Sequence, residues 1–222
     1  MNIAQYIDHT ILKQTTILAD IEKVCDEAKE YRFAAVCVPP YFVADVKQLV
    51  TGSKVKVATV IGFPFGYSCY NAKLAEAAKA LEDGADELDM VMNIAAFKSN
   101  DIAYLETEID AMCKAKGSSI LKVIVESGVL DEEEIIRCCE LYRHYPIDFM
   151  KTSTGYADKG ATLEAVLTMR KNLPANIQIK ASGGIKTYAF GKQLIDAGAT
   201  RLGCSASVAI VKGEEVDGSS KY

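Results

Sequence analysis

Five charged residues in this sequence fall inside or at the end of short apolar segments, where charge is unexpected. They are Asp8, Asp89, Lys122, Lys151 and Lys180, and each segment is typical of a β-strand. A single charge of this kind often points to solvent at the edge of a sheet. Burying an unpaired charge costs several kcal/mol, so charges that converge on one interior must pair with one another. These five residues therefore indicate either exposed strand edges or one paired, buried cluster.

Lysines in a buried cluster indicate chemistry on a carbonyl group. A free lysine has a pKa near ~10.4 and is a poor nucleophile at neutral pH. Burial or a neighbouring cation can lower this pKa to about 7, which gives a neutral amine that attacks carbonyl carbon. Lys151 and Lys180 end consecutive predicted strands, so their amino groups are expected to lie close together. One of the two would be the neutral nucleophile, and the other the cation that keeps it neutral.

The elements that must position these residues alternate along the chain. Strands are predicted at 6–8, 34–38, 55–61, 87–92, 120–125, 148–151, 177–181 and 200–203, and helices at 16–30, 43–50, 71–82, 103–116, 132–142, 163–171 and 188–197. Such alternation predicts a parallel sheet, and roughly eight units in 222 residues predict an α/β fold, a single compact (β/α)8 TIM barrel over residues 1–222. An open doubly wound sheet is the alternative, but no Gly-x-Gly-x-x-Gly motif follows the first strand. A barrel has no edges, which favours the buried cluster.

Composition excludes several classes of function. The chain has 25 basic and 30 acidic residues without a basic cluster, so binding of nucleic acid through its phosphates is not expected. No apolar run approaches the ~18 residues that span a membrane, and no secretory signal begins the sequence. The 7 cysteines form no CxxC motif and there are only 2 histidines, which predicts reduced thiols, a cytoplasmic location and no metal site.

Two short Gly/Ser segments follow the last predicted strands and indicate a phosphate site. Their sequences are SGGI at 182–185 and GCSAS at 203–207. In TIM barrels, phosphate commonly binds to the loops after strands seven and eight. A Gly-Gly pair alone is more often a simple turn. Because two such segments occupy the two expected places, we predict that they bind phosphate.

At these residues the sequence resembles the deoxyribose-phosphate aldolases, a family of class I aldolases. The resemblance is carried by YIDHTIL at 6–12, AVCV at 35–38, TVIGFPFG at 59–66, GADELDMVMN at 84–93, LKVIVE at 121–126, FMKTSTG at 149–155 and IKASGGI at 179–185. These segments span nearly the whole chain in order, and the last two are the most specific.

The resemblance implies reversible cleavage of 2-deoxy-D-ribose 5-phosphate to acetaldehyde and D-glyceraldehyde 3-phosphate. It assigns the Schiff base to Lys151 and proton transfer to Asp89 and Lys180. It also implies that Asp8 and Thr154 position the substrate, that Cys37 lies near the site, and that Gly184 and Ser205 lie by the phosphate. From this and from the strand and loop patterns, we predict substrate contacts by Asp8, Thr154, Cys37 and Lys122. We predict phosphate contacts by Gly155, Gly183, Gly184, Gly203 and Ser205. No metal or other cofactor is implied, and such barrels often pair as homodimers.

The last ten residues, 213–222, are polar and are expected to form a flexible tail that ends in Tyr222. Some members of the family also end in Tyr, so we hypothesise that Tyr222 enters the site and relays the enamine proton. A tail without a role is the simpler alternative.

Two other functions are compatible with the same residues. One is a Schiff-base lyase that acts on another aldehyde or keto acid. The other is a non-catalytic barrel that binds a sugar phosphate, which would form no covalent adduct at Lys151.

Overall fold

The structure, a computed structural model, describes residues 2–214 and contains every predicted strand. The strands are β1 Ile7–Thr10, β2 Ala35–Val38, β3 Lys56–Ile61, β4 Glu87–Val91, β5 Ile120–Ile124, β6 Phe149–Lys151, β7 Gln178–Ser182 and β8 Arg201–Cys204. Each strand pairs in parallel with the next one in the chain, and β8 pairs with β1 to close the barrel. The predicted (β/α)8 barrel is confirmed, and the open doubly wound sheet is wrong.

The helices of the described part of the chain follow the strands and cover the outside of the barrel. They are α1 Leu18–Tyr31, α2 Val43–Leu49, α3 Tyr70–Glu82, α4 Ile94–Lys98, α5 Ile102–Ala115, α6 Glu132–Tyr142, α7 Leu163–Asn172, α8 Tyr188–Asp196 and α9 Ser207–Lys212. The seven predicted helices are present within two residues of their predicted ends. The sequence pattern missed α4 and α9 because helices this short show too little apolar periodicity.

Local capping explains where several helices begin. The Asp131 carboxylate accepts a hydrogen bond from the Glu134 amide, and the Glu134 side chain accepts one from the Asp131 amide, which starts α6. Thr162 and Thr187 cap α7 and α8 in the same manner, each with one side-chain bond. The loops that precede these helices therefore end at fixed points above the barrel.

The strand register stacks the inward-facing side chains in layers. Side chains alternate between the two faces of a strand, so every second residue points into the barrel. The lower layer comprises Ala35, Glu87, Phe149 and Arg201, the middle layer Asp8, Ala58, Lys122 and Lys180, and the upper layer Cys37, Asp89, Lys151 and Gly203. Alternate strands contribute each layer, as in other TIM barrels. The five charges found in the sequence all lie in the middle and upper layers.

One side of this interior is apolar. Strands β2 and β3 contribute Ala35, Cys37, Ala58 and Val60, which form a small cluster with Leu12 and the partly buried Phe63. The charged side chains come from the other strands. The interior is thus divided into an apolar wall and a charged wall that face each other.

Within residues 2–214, no helix combines the length and the apolar character that crossing a membrane requires. Of the predicted tail, only Gly213 and Glu214 belong to the described residues, and Tyr222 lies outside them.

Candidate active site

The barrel walls hold one buried ionic network, which we call the interior cluster. It consists of Asp8, Glu87, Asp89, Lys122, Lys151, Lys180 and Arg201. Six of these side chains are at most 3% exposed, and that of Arg201 is 14% exposed. All five charges singled out in the sequence are therefore brought together and paired, as the buried alternative requires.

Asp89 is the centre of the interior cluster. Its Oδ2 atom accepts hydrogen bonds from both Lys151 Nζ and Lys180 Nζ, each at 2.7 Å. Its Oδ1 atom accepts one from Lys122 Nζ, also at 2.7 Å. The two lysines that end β6 and lie in β7 thus share one carboxylate oxygen, which places their amino groups side by side.

Asp8 forms a second centre one layer below. Its Oδ2 atom lies 2.5 Å from Lys180 Nζ, and its Oδ1 atom lies 2.6 Å from Arg201 Nη1. Lys122 Nζ, which is bound to Asp89, also lies 3.8 Å from Asp8 Oδ2 and so joins the two centres from the other side. It lies 2.6 Å from Glu87 Oε2 as well. Asp8 and Lys122 are therefore held by neighbouring charges rather than being free to rotate.

Sequence reasoning missed Glu87 and Arg201. Both lie at the first position of a strand, where a charge is ordinarily exposed. The spacing could have indicated Glu87, because a residue two positions before Asp89 must lie on the same face of β4.

The environment affects the three lysines differently. Burial lowers the pKa of Lys151; Asp89 opposes this shift, and the adjacent Lys180 ammonium adds to it. Burial also acts to lower the pKa of Lys180, but Asp8 and Asp89 overcome it and raise that pKa well above its usual value. Lys122 likewise has a raised pKa because Asp89 and Glu87 outweigh burial. Lys151 is thus the lysine of the cluster that loses its proton most readily.

The two aspartates are held as carboxylates. Burial acts to raise the pKa of Asp89, but Lys122, Lys151 and Lys180 together hold it well below its usual value. For Asp8, burial is likewise outweighed by Lys180, Arg201 and Lys122, which lower its pKa. Both carboxylates are acceptors in the resting site and poor bases by themselves.

The formal charges of the interior cluster explain why one lysine can be neutral. Three carboxylates face four cationic side chains, an excess of one positive charge. An unbalanced charge is costly in a low-dielectric interior. Loss of one proton from Lys151 balances the cluster.

Cys37 lies in the upper layer with Asp89 and Lys151. Its side chain is fully buried, and burial raises the pKa of its thiol. It is therefore a protonated thiol at neutral pH, a small apolar group beside the amino group of Lys151.

Thr154 is held by a residue that sequence reasoning did not select. Its hydroxyl donates a hydrogen bond to Glu126, and its amide lies 3.2 Å from the same carboxylate. The hydroxyl also accepts a bond from the Tyr156 amide at 3.0 Å. The hydroxyl hydrogen of Thr154 is thus already committed, so this side chain can meet a substrate only as an acceptor unless Glu126 moves.

A neighbouring hydroxyl has no such partner. Ser153 is fully buried, and its Oγ atom has no hydrogen-bond partner among residues 2–214. It follows Lys151 by two residues and so lies in the segment directly after β6.

Two of the glycines predicted to bind phosphate, Gly155 and Gly183, form a close contact between two loops. Gly155, Gly183 and Gly184 have φ angles of +89°, +88° and +74°, which L side chains rarely adopt. A Cβ atom on Gly183 would lie 3.3 Å from the Gly155 Cα atom, so the loops after β6 and β7 pack backbone against backbone. Ser205 is exposed in the next loop and lines a cavity of about 300 Å³ together with Lys13 and Lys186. Lys186, a cation that phosphate would attract, was not among the predicted residues.

Gly203 belongs both to the predicted strand at 200–203 and to the GCSAS segment, and the structure confirms the strand. It lies inside β8 and faces the interior, where a Cβ atom would be 2.8 Å from Ser182 Cβ and 3.1 Å from Lys180 Cε. Ser182 similarly belongs to β7 rather than to the loop after it. The absence of a side chain at Gly203 makes room for Lys180.

Gly203→Ala is therefore expected to displace Lys180 and to lower kcat at least about tenfold. A packing defect of this kind acts on the chemical step whether or not the substrate carries phosphate. The measurement is kcat and KM for the sugar phosphate that the sequence resemblance implies, 2-deoxyribose 5-phosphate, and for 2-deoxyribose itself. A loss confined to KM for the phosphorylated sugar would instead assign Gly203 to phosphate binding.

Comparisons with known proteins agree with this geometry. A family profile described as DeoC/LacD family aldolase matches residues 2–211. The deoxyribose-phosphate aldolase of Streptococcus gordonii is 46% identical over 98% of this chain and 99% of its own length. That of Streptococcus pneumoniae serotype 19F is 44% identical over the same shares. A tetrameric deoxyribose phosphate aldolase from Aeropyrum pernix superposes with a TM-score of 0.88 at 30% identity, over 95% of this chain and 89% of the other.

Proposed function

The chain belongs to the DeoC/LacD family of aldolases, and we propose that it cleaves 2-deoxy-D-ribose 5-phosphate reversibly to acetaldehyde and D-glyceraldehyde 3-phosphate. The resemblance found in the sequence is confirmed, and the protein is an aldolase. The observation that carries the mechanism is the buried Lys151, whose amino group shares one Asp89 oxygen with Lys180 and whose pKa is lowered by burial. The proposed substrate is the one named for the relatives.

The proposed reaction begins at Lys151. Its neutral amine attacks the C1 aldehyde of the open-chain sugar, and loss of water gives an iminium ion. The iminium accepts the electron pair of the C2–C3 bond as the C3 hydroxyl loses its proton. D-Glyceraldehyde 3-phosphate leaves, and an enamine of acetaldehyde stays on Lys151. Protonation of its terminal carbon and hydrolysis release acetaldehyde and restore the amine.

The protons of these steps are assigned to Asp89 and Lys180. A carboxylate stabilised by three lysines is a weak base, so Asp89 acts through Lys180 or a water molecule rather than by direct abstraction. The shared Asp89 oxygen supports this assignment, because a change in the charge of Lys151 alters the electrostatic energy of both Asp89 and Lys180. Asp8 and Lys122 keep Lys180 and Asp89 in place.

The substrate is proposed to lie across the top of the barrel. Its phosphate would bind at the loops after β6, β7 and β8, near Gly155, Gly183, Gly184 and Ser205, with Lys186 as an added cation. Its hydroxyls would meet Ser153 and the oxygen of Thr154. The two-carbon fragment at Lys151 would lie against the apolar wall, beside Cys37 and Val60.

An assay with and without the phosphate group tests the substrate. Unphosphorylated 2-deoxyribose should be cleaved with a kcat/KM at least about a hundredfold lower, because binding of the remote phosphate orients the reacting end. Acetaldehyde release is measured by reduction with a coupled dehydrogenase. Equal kcat/KM values for the two sugars would contradict the phosphate site, and no acetaldehyde from either would contradict the substrate.

The cysteines and one solved relative bear on where this chain acts and how it assembles. The seven cysteines are free thiols, which supports a reducing compartment such as the cytoplasm. The solved relative from Aeropyrum pernix is described as tetrameric, so assembly of this chain is better tested by light scattering than assumed to be a dimer.

A further inference from the structure

The lower layer of the barrel carries two charges that the proposed reaction does not use. Arg201 Nη1 donates to Asp8 Oδ1 at 2.6 Å and lies 3.2 Å from Glu87 Oε2. The same Glu87 oxygen lies 2.6 Å from Lys122 Nζ. Glu87 is 1% exposed as a side chain and Arg201 is 14% exposed, so both charges were taken out of water when the chain folded. A buried pair of this kind seldom stabilises a fold, which raises the question of what it does.

These charges are connected to Lys151 by ion pairs. The path runs from Arg201 to Asp8 at 2.6 Å, to Lys180 at 2.5 Å, and then to Asp89 and Lys151 at 2.7 Å each. Charges in a poorly screened interior influence one another over more than one layer. A charge added or removed in the lower layer therefore changes the cost of a proton on Lys151.

We propose that Glu87 and Arg201 are positioning residues that set whether Lys151 carries a proton. The inference rests on the proposed Schiff-base reaction. Arg201 supplies one of the four cationic charges of the interior cluster, so the cluster has a net excess of positive charge when Lys151 is protonated. Glu87 supplies the third carboxylate, which limits that excess to one.

This charge count covers the seven side chains of the interior cluster, and the test must hold the other groups around Lys151 constant. The charged and titratable groups that face it are Asp8 from β1, Cys37 from β2, Glu87 and Asp89 from β4, Lys122 from β5, Lys180 from β7, Arg201 from β8 and Glu126 from the loop after β5. Strand β3 contributes the apolar Ala58 and Val60. Cys37 is a buried thiol, and Glu126 is an acid whose oxygens accept hydrogen bonds from Thr154. Both are unchanged in the variants below, so neither can produce shifts of opposite sign.

Three variants test the proposal because their effects differ in sign. Arg201→Gln removes a cation, so a proton on Lys151 becomes less costly and the acid limb of the pH–rate profile should move up by about one pH unit. Glu87→Gln removes an anion and should move the same limb down by a similar amount. The double variant keeps the original excess of one charge and should return the limb close to its wild-type position.

A second measurement reads the proton on Lys151 without turnover. Cyanate carbamylates neutral amines, and peptide mass spectrometry gives its rate at Lys151 relative to the exposed Lys114 of the same chain. The pH at which this ratio is half-maximal should shift up, down and back in the three variants. Lys192→Gln, which removes a surface cation paired with Asp196, is the matched control and should leave it unchanged.

A purely structural role predicts a different result. Both single variants would then lose activity, and the double variant would lose more. The acid limb and the labelling midpoint would not shift in opposite directions in Arg201→Gln and Glu87→Gln. That outcome overturns the proposal. If Glu87→Gln does not fold, the proposal is tested with Arg201→Gln and the double variant. An upward shift of the acid limb in Arg201→Gln that the double variant reverses supports the proposal, and a shift that is not reversed contradicts it. Failure of wild-type cleavage would contradict the proposed function, whereas the labelling midpoints would still test this inference.

Discussion

Replacing Lys151 with Met is expected to lower kcat for cleavage of 2-deoxyribose 5-phosphate by at least about 10⁴-fold, comparable with the loss of other catalytic nucleophiles. Met keeps the length of the buried stem but cannot form an imine. Treatment with acetaldehyde and borohydride should replace one amine hydrogen of Lys151 with an ethyl group in the wild type and leave the variant unlabelled. Near-normal turnover in the folded variant would contradict the assignment.

The same variant is expected to remain folded, and the charge count gives the reason. Without Lys151, Asp89 is still bound by Lys122 and Lys180, and three cationic side chains face three carboxylates. The thermal midpoint should therefore equal or exceed that of the wild type. Lys114→Met, a change at an exposed lysine of α5, is the matched control for both activity and stability.

The barrel and the reactive end of the site could be predicted from the sequence because their signals are local. Alternating strands and helices leave a periodic pattern, and a lysine such as Lys122 or Lys180 inside an apolar strand is conspicuous by itself. Most strand boundaries were predicted to within one residue, whereas β1 runs two residues beyond its predicted end. Ser182 looks like a loop residue, yet it continues β7. Its small side chain and the absence of one at Gly203 suit the crowded interior beside Lys180.

The contributions that could not be predicted depend on contacts between distant parts of the chain. Nothing near Thr154 in the sequence indicates that Glu126, 28 positions earlier, binds its hydroxyl and amide. Arg201 meets Asp8 across 193 positions, and only the closed barrel brings them together. The direction of each lysine pKa depends on the same closure, because it is set by how many carboxylates each amino group reaches. Sequence reasoning could therefore pair Lys151 with Lys180, while the structure distinguishes which of them is readily neutral.

Replacing Lys180 with Met should also lower kcat at neutral pH, by about 10²- to 10⁴-fold, for two separable reasons. The variant loses a group that carries protons, which costs activity at every pH. It also removes one cation from the interior cluster, so that a protonated Lys151 exactly balances the remaining charges and its pKa rises. Because the reaction needs neutral Lys151, the acid limb of the residual activity should move to higher pH.

The pH profile separates these two effects. Loss of proton transfer alone would lower the whole profile without moving its acid limb, whereas the change in charge moves the limb alkaline. Lys180→Arg keeps a cation near Asp8 and Asp89 and should therefore leave the limb near its wild-type position, even if its shape lowers the rate. A wild-type limb in Lys180→Met would show that Lys151 is kept neutral by burial alone, the largest of the influences on its pKa. An alkaline limb in Lys180→Met that Lys180→Arg reverses would assign that control to the adjacent cation.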